Sequence, residues 1–176
     1  MSGIKAPILD VLNRLKSIDK LKFVRIWNNQ IDRQDDGSGY SFPRPAAFVE
    51  VVNAVQYEII GLGFRSSDIA FRIHLVHDYF NGGEMEQDLE IFDLRDAILE
   101  TNNGLSQFCP TGCGTLNCVR EEQEYDHDNT YHYTLDFVCN FTDTKGSRFD
   151  SENDSMVEEE TEIDLTPQAE YIIPNS

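Results

Sequence analysis

A chain of 176 residues suits one domain, or one domain with an appendage, since single cores commonly take about 100–200 residues. Its 32 acidic residues against 14 basic ones give a formal charge of -18 at pH 7, which repels polyanions and argues against a protein that wraps nucleic acid or docks on anionic lipid. Apolar residues at 40% and aromatics at 11% suffice for a core; no apolar run is long enough to span a bilayer and the first residues lack the pattern of a secretory signal, so a cytoplasmic setting with mostly free thiols is expected.

Ile4, Ile8, Val11, Leu12, Leu15 and Ile18 recur at helical spacing, with Pro7 near the first turn, where its missing N–H costs nothing. Residues 4–18 are therefore predicted as an amphipathic helix whose polar face carries Asp10, Asn13, Arg14 and Lys16. KFVRIW, residues 22–27, reads as a first strand from its β-branched and aromatic content. Trp27, the only tryptophan, is expected in the core. In the next segment, residues 28–45, Asp36, Gly37, Gly39, Pro43 and Pro45 break any periodic element. A loop this long in a compact domain is more often functional than idle, which leaves a surface excursion and an assembly contact as its two readings.

Residues 46–80 hold two long alternating apolar segments joined across Gly61 and Gly63, which mark a turn or a bulge. In the second segment Ile69, Phe71, Ile73 and Leu75 fall on one side and Asp68, Arg72, His74 and Asp78 on the other, the period of two of a half-buried strand. Met85, Leu89, Ile91, Phe92, Leu94, Ile98 and Leu99 then trace a broad helical face, closed by Asn103-Gly104. After a Cys/Gly/Pro loop, residues 115–125 and 130–143 flank the turn-like DHDN and predict a final antiparallel hairpin, with Tyr131, Tyr133, Leu135, Phe137, Cys139 and Phe141 on one face. The predicted fold is α+β, a mainly antiparallel sheet of about five strands with two helices on one face, in the order α-β-β-β-α-β-β. Residues 1–143 form this domain; residues 144–176 are acidic and poor in periodic hydrophobics, an extended arm that orders against a neighbouring subunit or a mobile tail.

Candidate chemistry is sparse. Cys109, Cys113 and Cys118 lie close together, yet their spacings do not repeat as the paired knuckles of structural zinc, and Cys118 and Cys139 fall in predicted strands where thiols act as small hydrophobes. His74 and His77, three apart on a strand, point to opposite faces and do not share an ion, so a solvated or hydrogen-bonded role suits each better. There is no nucleophile elbow, P-loop or dinucleotide fingerprint, and neither an enzyme nor a cofactor is expected.

The element order resembles that of the tail-terminator (tail-completion) proteins of long-tailed phages and related contractile injection machines. Across roughly residues 4–143, five phrases are similar to members from phages and prophages of Bacteroidetes: ILDVLNRL, RIWNNQID, FPRPAAFVEV, FRIHLVHDY and IFDLRDAI. The resemblance implies a structural virion protein, assembled in the bacterial host cytoplasm and placed at the junction of tail and neck. There a ring, usually of six subunits, caps the tail tube and meets the head-side connector or stopper, and no catalytic residues are carried over. Genomic DNA would be a passing cargo that an acidic wall does not grip. Loop length, strand length and the spaced apolar residues of the tail place the expected subunit or partner contacts at Ile31, Arg33, Tyr40, Phe42 and Arg44, at Arg72 and His74, and at Ile163, Leu165, Tyr171 and Ile172. The alternatives are another neck component, which shares the location and charge logic, and an acidic inhibitor that mimics DNA charge towards a basic partner.

Overall fold

Period-two alternation becomes two central strands, β4 (Phe64–Asp78) and β6 (Thr130–Asp143). In the computed structural model, which describes residues 3–31, 41–52, 56–61, 63–78, 89–124 and 130–145, they pair antiparallel without a break from Arg65↔Asp143 to Asp78↔Thr130. Around them lie β1 (Phe23–Ile26), β2 (Ala46–Val52), β3 (Glu58–Gly61) and β5 (Asn117–Glu124). The described strands form one six-stranded sheet in the order β1-β2-β4-β6-β5, with β3 paired to the start of β4 off that path. Helices α1 (Lys5–Lys16) and α2 (Glu90–Leu99) complete an α+β fold.

The expected fold class and element types are borne out, with two differences. The first half of residues 46–80 is two strands, β2 and β3, both antiparallel to β4. The sheet is mixed, because β1 runs parallel to β2. Gly61 and Gly63 take positive φ values of 114° and 85°, and the β3–β4 register shifts between Ile59 and Gly61, so the expected bulge is there.

Both helices cover the same sheet face. Val11, Leu12 and Leu15 of α1 and Ile91, Leu94 and Ile98 of α2 share one cluster with Ile69, Phe71, Ile73, Leu75, Leu135, Phe137 and Phe141. The apolar parity seen in the sequence is thus the helix side. Beyond α2 the chain folds back on the helix end: Leu105 N–H donates to the Ile98 carbonyl at 2.7 Å. Gly104 is needed there, because a Cβ would come within 2.4 Å of that same oxygen. Arg14 of α1 donates to the Gly104 carbonyl at 2.9 Å and to that of Asn102, locking the two helical units together.

Candidate functional site

The other sheet face was expected to be polar, and its chemistry is concentrated at one end. The residues of even number on β4 and β6 point there, and their neighbours on β2 and β5 are set by register: His74 lies between Phe48 and Thr134, and His132 between Val76 and Glu124. That end is not open to solvent. Trp27 lies flat on the His74 ring, with centroids 3.8 Å apart and planes 7° apart. Ile31, Phe42, Ala46, Phe48 and Val76 form a second apolar cluster, with Phe23 and Trp27 packed against it. Phe42 and Phe48 meet edge to face at 5.0 Å.

Beneath this aromatic cover four side chains form a line across four strands. Glu50 Oε2 lies 3.0 Å from His74 Nε2, His74 Nδ1 lies 2.9 Å from His132 Nε2, and His132 Nδ1 lies 2.8 Å from Glu124 Oε2. Two neutral imidazoles supply the protons of the first two contacts: His74 Nε2 donates to the Glu50 carboxylate, which leaves His74 Nδ1 to accept from His132 Nε2. Burial, the neighbouring His132 and the Arg72 guanidinium together hold His74 down at about 3. Next in line, Arg72 grips Asp136 with two hydrogen bonds of 2.7 and 2.9 Å, an interaction that pushes the guanidinium up. The outer groups Glu50 and Glu124 are each partly exposed, so the buried pair meets solvent through its carboxylates.

This line ties β2, β4, β6 and β5 together on the face opposite the helices. Its four groups are strung end to end and do not converge on one point, as ligands of an ion would. Among the described residues no three His, Cys, Asp or Glu side chains form a metal-binding group. Cys109, Cys113 and Cys118 have separate partners. Cys113 and Cys139 are free thiols that share a hydrogen bond, which together with burial pushes Cys113 up and, against the effect of burial, draws Cys139 down. Cys118 faces the Arg120 carbonyl at 3.7 Å, and Cys109 faces the Thr115 hydroxyl at 3.5 Å.

The structure distributes the expected contact residues unevenly. Ile31, Phe42 and His74 are buried within the chain, at 1%, 5% and 4% exposure, so they serve internal packing and offer no accessible surface. Arg72 is committed to Asp136, and Arg44 to Asp78 at 2.8 Å. Arg33, Tyr40, Ile163, Leu165, Tyr171 and Ile172 lie outside the described residues. His77 does point away from His74, towards Glu90 of α2 at 3.4 Å. The sequence reading did not bring His74 together with His132, Glu50 and Glu124; the available signal was a histidine at a polar-parity position in each of the two longest strands. A separate shallow groove of about 610 Å³, lined by Glu58, Ser66, Asp68 and Asn140 among others, opens between β3, β4 and β6 and is polar.

No family model matches this chain, and no curated protein matches it significantly.

Proposed function

We propose that this chain is a structural virion protein, a tail terminator whose copies form a ring that caps the tail tube and joins it to the head-side connector. The observation that carries the reading furthest is β3. All four of its residues are exposed, with Ile59 at 80% and Ile60 at 61%, so apolar side chains stand on a sheet extension that the described part of the chain leaves uncovered. Exposed apolar side chains at this position support the reading of β3 as an assembly contact. The α+β order, with both helices on one face, is compatible with the resemblance, and the charge of -18 suits a wall that DNA passes without being gripped.

Electron microscopy of the assembled particle tests this directly. Sixfold rings of this chain at the end of the tube support it, and a twelvefold ring assigns the chain to the connector instead. A monomer held to a basic partner, with binding that collapses in salt, favours the acidic inhibitor. At the residue level, Ile59→Asp combined with Ile60→Asp is expected to abolish ring formation. Both side chains are exposed, so stability should change by no more than about 0.5 kcal/mol per site. Sedimentation velocity and a thermal melt of the same sample separate the two effects.

A further inference from the structure

The outer strands β1 and β5 stand at opposite ends of the sheet path and carry opposite charge. Along β1 and its approach, Lys16, Lys20, Lys22 and Arg25 are all exposed, a concentration of cations in a chain with 14 basic residues and a net charge of -18. Along β5 lie Glu121, Glu122 and Glu124 with one cation, Arg120, which is paired to Glu122, so the strand is acidic on balance. Neither outer edge forms a ladder with another described strand. The edge at β1 also borders a groove of about 330 Å³, lined by Lys16, Leu21, Lys22, Phe23, Val24 and Arg25.

Strand direction and register make the two edges complementary in geometry as well. β1 is parallel to β2, and each later step, β2 to β4, β4 to β6 and β6 to β5, is antiparallel, so β5 runs opposite to β1. A second copy placed beside the first with the same face outward brings its β5 against β1 as an antiparallel pair. The registers also connect Arg25, Phe48, His74, Thr134 and Glu122 as one row across the sheet. Arg25 and Glu122 therefore end the same row on the same, helix-free face.

We propose that β1 of one copy pairs with β5 of the next, continuing the sheet from subunit to subunit, with Arg25 facing Glu122 and Glu124 on the helix-free face. Charge selects this arrangement over its alternatives. Pairing β1 with β1 would set two basic edges together and pairing β5 with β5 two edges of net negative charge, and either is less favourable than joining a basic edge to an acidic one. The charges that guard each edge against its own kind are attractive to the other edge. The β5 bulge between Cys118 and Arg120 confines regular pairing to the segment from Arg120 to Glu124. A contact between two different surfaces of one chain is heterologous, and it closes into a ring when the rotation allows. The edge pairing stands on these residues alone; its closure into a ring rests on the tail-terminator reading.

Reversing one edge at a time tests the proposal. The wild type, Lys22→Glu with Arg25→Glu, Glu122→Lys, and the triple variant with all three changes are compared by sedimentation over a concentration series at low ionic strength, with circular dichroism to establish that each is folded. The wild type is expected to associate, and each single-edge variant to associate about tenfold more weakly or worse. An equimolar mixture of the two single-edge variants, and the triple variant alone, should recover association, because opposite charges again face each other. A monomeric wild type across the series, an unchanged single-edge variant, or failure of both the mixture and the triple variant to recover overturns the edge pairing. Any of these results leaves the tail-terminator reading to the microscopy of the particle, where a sixfold ring joined through other surfaces would still support it. Edge pairing with no place at the tube end would remove that reading and leave the pairing intact.

Discussion

Phe71→Ala is expected to lower the unfolding free energy by about 3–5 kcal/mol, the range for emptying an aromatic site in a packed core. Phe71 is 0% exposed and lies directly across β4–β6 from Phe137, which is also 0% exposed; on its other side it pairs with Val51 of β2. Above it sits the helix-facing cluster to which both α1 and α2 contribute. A cavity there has little freedom to collapse, because its walls are the two longest strands, paired along their whole shared length. Urea titration should show a lower midpoint with an unchanged slope, since the amount of surface exposed on unfolding is nearly the same. A loss below about 1 kcal/mol would mean that the sheet centre relaxes into the gap.

Phe71 is also where the sequence was most legible. Its strand runs 15 residues and its partner 14, with apolar alternation through Ile69–Leu75 and Tyr131–Phe141, and patterns that long fix which face meets the helices. β1 was found as a strand, but its direction was hidden, because FVRI alternates in the same way whether it pairs parallel or antiparallel. The larger misreading concerns the second face. His74 and Arg72 sit at polar parity, which describes a solvated surface when only the strand is considered. Burial there comes from Trp27, Phe23 and Phe42, contributed by segments whose placement over the sheet has no periodic signature. The line from Glu50 to Glu124 depends on four strands meeting in one register, and no local spacing encodes that. Charge at the two outer edges was visible as composition. Its meaning depended on knowing that β1 and β5 are the two ends of the sheet.

Acidification should destabilise this second face before the first, through His74. In the folded chain its imidazole is held neutral down to about 3, against an ordinary value of 6.5, with burial the largest cause and the charges of His132 and Arg72 next. The charged and titratable groups around it on the same face are Glu50 on β2, Arg72 on β4, Asp136 and His132 on β6, and Glu122 and Glu124 on β5. As pH falls below 6.5 the unfolded chain takes up a proton that the native chain refuses, so stability present in full above 6.5 is lost progressively until about 3. At about 1.4 kcal/mol per pH unit, the largest possible loss is about 5 kcal/mol. Glu121 acts in the same direction, because its bond to Arg95 holds it below the usual carboxylate range and its contribution also fades in acid. His74→Gln separates the two: the amide donates to Glu50 and accepts from His132 but does not titrate, while Glu121 is untouched. Urea unfolding at pH 7 and pH 4 should show a large loss for the wild type and a smaller one for the variant. Trp27 provides a second readout, since the only tryptophan of the chain lies on that imidazole. Its fluorescence in the wild type should change over the same pH interval as the stability. Parallel losses in the two proteins would transfer the acid sensitivity to the carboxylates and leave His74 as packing alone.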